Sequence, residues 1–149
     1  MNIRKMKECD MSRVAEIIVF NNRINFYPIF KDEKYSFYEM QVVSLIDKYL
    51  KNADAFNNTY VYDDGIIRGF IQIKDTEICK LYVDPCMQSS GIGHQLIEFA
   101  INHMGANFLW TLEKNVRAIS FYKKHGFDYS GKKQFEEGTT EYLVELTRM

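Results

Sequence analysis

The chain has 149 residues, 46% of them apolar and 15% aromatic, with a formal net charge of −1 at pH 7. That suits one domain over residues 1–149 built on one core, excludes disorder, and supplies no global field to hold nucleic acid. The three cysteines, Cys9, Cys79 and Cys86, are odd in number and lack CxxC spacing, and His94, His103 and His125 form no ligand pattern with them or with carboxylates, so neither disulfides nor a metal is expected.

The opening residues Met1 to Met6 lack the apolar core of a signal peptide, and no apolar run reaches the length of about eighteen residues that a membrane helix needs, so a cytoplasmic protein without a membrane partner is expected. Ile3 to Lys5 reads as a short strand. Asp10 then caps a helix on which Val14, Ile17, Ile18 and Asn21 share a face, ending near Asn21-Asn22. From Phe26 to Tyr35 runs an aromatic segment whose Pro28 forbids a continuous helix. Two readings of it stay open: these rings close one end of the core, or they wall a substrate site as a lid. Ser36-Phe37-Tyr38-Glu39 matches a capping box and predicts a second helix with Tyr38, Val42, Leu45, Ile46 and Tyr49 on its apolar face.

After Asn52 the period turns from helical to alternating. Thr59 to Tyr62 and Ile66 to Ile73 read as strands joined through Asp63-Asp64-Gly65, a strong hairpin signal. Thr76 to Val83 is a further strand, ended by Pro85. A helix follows to about Met104, with Leu96, Ile97, Ala100, Ile101 and Met104 on one face. Phe108 to Leu112 is a compact strand and Val116 to His125 a short helix. Phe127 to Phe135 pairs with Thr140 to Leu146 across Glu136-Glu137-Gly138-Thr139. No linker or repeat divides the chain. The order predicts an α/β (α+β) mixed sheet of about seven strands with about four helices on both faces.

Chemistry concentrates between Leu81 and Gly93. There a strand passes through a loop into a helix, and Gly91 and Gly93 let the backbone turn tightly. The N–H groups of Ser90 to His94 are orphan donors at a helix N-terminus, where positive partial charge gathers, so an anion such as phosphate suits them. A Walker loop is excluded because His94-Gln95 follows the last glycine. A Rossmann fingerprint is excluded because Leu96 stands where a third glycine belongs. A second block lies at Asn115, Ala118, Ile119 and Tyr122, which share one face of the short helix opposite Lys124. Asn115 reads either as that helix's N-cap or as a ligand contact, and Tyr122 either as a core phenol or as a functional one.

Together the two blocks resemble the GNAT superfamily of N-acetyltransferases, which use acetyl-coenzyme A. The resemblance rests on Leu81-Tyr82-Val83-Asp84-Pro85, on Gln88-Ser89-Ser90-Gly91-Ile92-Gly93 as the family's Arg/Gln-x-x-Gly-x-Gly/Ala loop, and on Asn115-x-x-Ala118-x-x-Phe121-Tyr122-x-x-x-Gly126-Phe127. It implies the GNAT-like fold and an acyltransferase that moves the acetyl group directly to a primary amine of a small molecule or peptide. The pyrophosphate of coenzyme A is then expected on the backbone of Ser89, Ser90, Gly91, Ile92, Gly93 and His94 beside Gln88, and Lys124, Lys123 or Lys114 near the 3′-phosphate. Gln88 stands where arginine is frequent, which removes one positive charge. Pantetheine is expected along Leu81, Tyr82 and Val83, with the Leu81 N–H as oxyanion donor and Asn115 reaching the cofactor from the neighbouring strand's end. Tyr122 matches the general acid at the sulfur, and Glu77 the position of a general base in some members, with Tyr82, Glu113 and Asp84 as alternatives. A non-catalytic acyl-coenzyme A sensor on the same fold is the competing class, and a homodimer is left open.

Overall fold

The computed structural model describes every residue, Met1–Met149. Seven strands make one sheet: β1 (Ile3–Lys5), β2 (Thr59–Asp63), β3 (Ile67–Lys74), β4 (Glu77–Val83), β5 (Phe108–Leu112), β6 (Phe127–Phe135) and β7 (Tyr142–Arg148). Across the sheet they run β1-β2-β3-β4-β5-β7-β6. Every neighbouring pair is antiparallel except β4 and β5. The mixed sheet with helices on both faces is as the sequence predicts.

The helices are α1 (Met11–Asn25), α2 (Tyr27–Phe30), α3 (Val42–Leu45), α4 (Ala53–Asn57), α5 (Ile92–Met104) and α6 (Val116–Lys124). On one face, Val14, Ile17 and Ile18 of α1 pack with Val61 and Phe70. On the other, Leu96, Ile97 and Ala100 of α5 pack with Ile71, Ile73 and Ile78. Each apolar stripe therefore meets the strand residues whose side chains point its way, because side chains alternate across a sheet.

Several local expectations are corrected. Helix α1 continues to Asn25, and Asp10 does not cap it through its side chain. That carboxylate instead accepts the Lys7 N–H at 2.7 Å and pairs with Arg4 at 2.7 Å, tying β1 to the turn before α1. The capping box at Ser36 does not start the second helix: Ser36 is buried inside a π-helical turn (Lys34–Glu39), and Tyr38 is 71% exposed rather than on the apolar face. The helix begins after Gln41 as α3 and continues as a π-helical turn (Ile46–Leu50), with Val42, Leu45, Ile46 and Tyr49 facing the core as expected. The period missed α4, a single turn capped by Asn52, whose side chain accepts the Asp54 N–H. Strand β7 begins at Tyr142 rather than Thr140.

One irregularity positions everything that follows. Along β3 and β4, Gln72 is opposite Lys80 but Ile73 is opposite Ile78, so Cys79 is an extra residue on β4. Such a bulge bends and twists its strand. The parallel ladder to β5 holds only at Glu77↔Phe108 and Ile78↔Leu109, and ends where the bulge begins.

Gly69 on β3 sits against the departing end of β4. A Cβ there would lie 2.8 Å from the Tyr82 carbonyl oxygen and 3.3 Å from the Val83 Cα, both backbone atoms that cannot swing aside. Gly69→Ala is therefore expected to destabilise the fold by about 1–3 kcal/mol, the usual cost of overpacking, read as a lower urea midpoint. An unchanged midpoint would show that β3 and β4 can part freely at this point.

Candidate active site

Beyond Ile78 the β5-facing edge of β4 has no strand partner. The Asp84 N–H donates to the Arg68 carbonyl at 2.9 Å, toward β3. By strand alternation, Val83 and Leu81 direct their backbone groups the other way, into the gap, while Tyr82 turns its backbone to β3. The Val83 carbonyl accepts from Asn21 Nδ2 at 2.9 Å and Gln88 Nε2 at 3.2 Å. Gln88 is thus held across the strand end, and buried Asn21 ties α1 to the same point. A cavity of about 960 Å³ runs along the gap. Leu81 and Tyr82 line it from β4, Trp110 and Leu112 from β5, and Asn115 and Tyr122 from α6. Phe26, Phe30 and Tyr35 wall it, so the aromatic segment faces a cavity rather than merely closing the core.

The loop between β4 and α5 is built on Asp84. Its carboxylate accepts the Cys86 N–H at 2.8 Å and pairs with Arg13 of α1 at 2.8 Å. Burial acts to raise its pKa, yet the Cys86 N–H and Arg13 outweigh burial and hold the carboxyl below the ordinary aspartate value. Ser89 adopts φ 67° and Gly91 φ 85°, a left-handed turn that delivers the chain into α5. The two glycines have different tasks. Nothing lies within 4 Å of a Cβ placed on Gly91, which leaves open space over the backbone, whereas one on Gly93 would meet the Phe121 ring at 3.4 Å. Gly91 leaves its backbone open, and Gly93 lets α5 settle against α6. The first N–H groups of α5, at Ile92, Gly93 and His94, lie at the helix N-terminus, where the helix dipole is positive. The Ile92 side chain itself is buried in the core.

Tyr122 is buried and lines the cavity. Burial, and after it Tyr82, raises its phenol pKa above the ordinary tyrosine value, so it stays protonated well into the alkaline range. Asn115 is the N-cap the sequence allowed, its Oδ1 accepting the Ala118 N–H at 3.3 Å, and the residue also lines the cavity. Glu77 lies on β4 before the bulge and is not part of the cavity wall. Burial first and Glu145 second hold its carboxyl above the usual value. Neither Asp84 nor Glu113 lines the cavity either; Glu113 pairs with Lys133 at 2.8 Å. Lys124 is exposed on α6, while Lys114 is paired with Glu141 at 3.1 Å and Lys123 lies over the Tyr129 ring at 4.4 Å.

Sequence patterning missed several residues. Lys80 lines the cavity with its ammonium 5.2 Å from the Tyr49 ring centroid, and burial lowers its pKa. The Tyr49 hydroxyl in turn bonds Gln72 and is pushed up to about 12 by burial. Glu136, Glu137 and Glu141 also line the cavity and, with Asp32 of the aromatic segment, make the lining acidic. The histidines also meet in a way their spacing does not show: donor atoms of His94, Glu98 and His125 all lie within 4.8 Å of one another. The His94-x-x-x-Glu98 spacing on one helix face was the available signal, but His125 arrives only through the contact of α5 with α6.

A family model described as an acetyltransferase (GNAT) domain matches residues 55–129. The chain is similar to the peptidyl-lysine N-acetyltransferase YjaB of Salmonella typhimurium, 26% identical over 100 residues that span 67% of this chain and 68% of that protein. Its fold is similar to the solution structure of apo-form YjaB from Escherichia coli, with a TM-score of 0.81 at 20% identity over 99% of this chain and 96% of that one. It is also similar to the PaiA N-acetyltransferase from Thermoplasma acidophilum in complex with coenzyme A, with a TM-score of 0.68 at 21% identity over 96% of each chain. No helix is long and apolar enough to cross a membrane.

The Asp84 anchor makes a pH-dependent prediction. A carboxyl whose folded pKa is depressed contributes stability above its unfolded value of about 4, and loses it as pH falls through the lower folded value. The urea midpoint of the native protein is expected to exceed that of Asp84→Asn at neutral pH, with the difference shrinking below about pH 4. A difference that ignores pH would mean the Arg13 pair does not hold the loop.

Proposed function

We propose, from the premise that this chain belongs to the GNAT acetyltransferase family, how its residues divide the work of acetyl transfer and which amine it takes. It is an acyltransferase of the N-acetyltransferase kind, with acetyl-coenzyme A as co-substrate. The observation that carries the proposal is the unpaired edge of β4 running from Leu81 toward the open backbone at Gly91, a path suited to an extended chain that ends in a pyrophosphate. In this reading the backbone from Ser89 to His94 takes the pyrophosphate, Leu81 and Val83 bond pantetheine, and Asn115 with Lys124 completes the cofactor side. Gln88 acts from behind, by holding the strand end.

The amine nitrogen attacks the thioester carbonyl, the Leu81 N–H stabilises the oxyanion, and the tetrahedral intermediate collapses by breaking the C–S bond. Tyr122 gives its proton to the departing thiolate. Burial raises the phenol pKa, so Tyr122 holds its proton at neutral pH and is available to donate it. For the amine's own proton, Glu77 acts through water, its raised pKa bringing a carboxylate nearer the range of a useful base. The acidic lining of Asp32, Glu136, Glu137 and Glu141 favours a cationic acceptor approaching along its aliphatic stem past Phe26 and Phe30. We assign the acceptor to the class of lysine side chains and similar primary alkylamines, in keeping with the peptidyl-lysine substrate named for YjaB.

Thiol release from acetyl-coenzyme A is expected with lysine-containing peptides or alkylamines. Cofactor binding without release from any amine would leave a non-catalytic sensor instead. Tyr122→Phe is expected to lower turnover on the order of 10²-fold or more while acetyl-coenzyme A affinity by calorimetry changes little; unchanged turnover removes Tyr122 as the acid. Glu77→Gln is expected to lose most activity toward the acid end of the range from about pH 6 to 9, where amine deprotonation is hardest. A loss equal at every pH assigns Glu77 to structure.

A further inference from the structure

The side chains of His94, Glu98 and His125 have no role in the acetyl-transfer scheme, which uses only the backbone of His94, yet their geometry is specific. His94 and Glu98 lie one turn apart on α5, and His125 follows the last turn of α6. His94 Nδ1 lies 2.9 Å from His125 Nε2, and the donor atoms of all three residues fall within 4.8 Å of one another. His125 Nδ1 is 3.0 Å from the Phe121 carbonyl oxygen. A carbonyl only accepts, so the ring hydrogen of neutral His125 sits on Nδ1 and the Nε2 lone pair faces His94. Glu98 is likewise held, its Oε2 accepting from Asn102 Nδ2 at 3.2 Å. Two of the three donor side chains are thus oriented from behind by a group that is not itself a donor to the cluster. That is how metal ligands are fixed: an imidazole gives its other N–H to a backbone carbonyl, and a carboxylate is itself hydrogen-bonded.

We infer that His94, Glu98 and His125 form a binding site for a divalent transition-metal ion of the zinc type, bridging the start of α5 to the end of α6. Two imidazoles and a carboxylate are a donor set suited to zinc and its neighbours and poorly suited to magnesium or calcium. Tetrahedral bonds near 2.1 Å separate ligand atoms by about 3.4 Å, so the two nitrogens open slightly and the carboxylate closes in. Half-exposed side chains manage this by rotation alone. Water takes the fourth position. The contact that makes the site is the approach of Gly93 to Phe121, whose ring also lies 4.7 Å from the His125 ring. The ion clamps the turn that carries the open N–H groups of α5 to the helix that carries Tyr122. Its binding does not depend on the acetyl-transfer reading and is measured without substrate.

The test is titration of chelator-stripped full-length protein with zinc against a chromophoric chelator, together with the imidazole nitrogen resonances. One equivalent is expected to bind in the micromolar range or tighter, shifting His94 and His125 while leaving His103 in place. The double variant His94→Ala/His125→Ala is expected to weaken binding on the order of 100-fold, and Asn102→Ala, which touches only the support of Glu98, by about 10-fold. Zinc binding that is absent, that persists in the double variant because the exposed thiols of Cys9, Cys79 or Cys86 hold the ion, or that leaves the His94 and His125 resonances unmoved overturns the inference.

Discussion

The parting of β4 from β5 is the constraint from which the rest of this molecule follows. Parallel strands of a buried sheet normally satisfy each other's backbone groups along their length, and an unpaired buried amide is costly. Here the ladder stops after two residue pairs, at the point where the extra residue Cys79 interrupts the register of β4 with β3. The backbone groups left facing the gap need other partners. Side chains already serve one of them, Asn21 and Gln88 at the Val83 carbonyl. In the proposed reading the remainder present an edge that an extended ligand completes as a strand would.

That edge is held from both faces of the sheet. From the α1 side come Asn21 and Arg13, the latter paired with Asp84, so the helix before the aromatic segment also fixes the strand before the anion loop. On the opposite side, Gly93 admits the Phe121 ring, which brings the first turn of α5 against α6 and sets Tyr122 below the gap. Tyr122, the Leu81 N–H and the backbone from Ser89 to His94 therefore all rest on the sheet and the helices packed on it. The half-chain that walls the cavity is less regular, with π-helical turns on either side of α3 and the left-handed residue Lys31 after α2. Its aromatic rings and Asp32 line the cavity opposite the β4 edge, and in the proposed reading they serve the acceptor.

Charge inside the cavity follows the same division. Lys80 is the cation among the residues lining it, is desolvated, and rests over Tyr49, while Asp32, Glu136, Glu137 and Glu141 also line it. In the proposed reading the acidic side chains attract a cationic amine, and desolvation lowers the Lys80 pKa from its ordinary value. The hairpin bearing Glu136 and Glu137 reads in sequence only as a turn, and its place at the cavity depends on the crossing that inserts β7 between β5 and β6.

The amino-acid sequence alone determined the elements whose causes are local. Alternation placed the seven strands to within a few residues, Asp64-Gly65 placed the hairpin, and the helical stripes of α5 and α6 placed their buried faces. The spacing of Gly91 and Gly93, with Asn115, Ala118 and Tyr122, carried the family. Local rules failed where longer contacts won: Asp10 serves Arg4 rather than α1, and Ser36 is buried instead of opening a helix. Only the tertiary structure decided that Cys79 is a bulge, that β4 leaves β5 there, that Asn21 reaches Val83, that Glu77 lies outside the cavity, and that His125 meets His94 and Glu98. Each of these depends on register or convergence between segments far apart in the chain. Residue type and spacing govern backbone conformation within a few residues, whereas which side chains meet is settled when the sheet pairs and the helices pack on it.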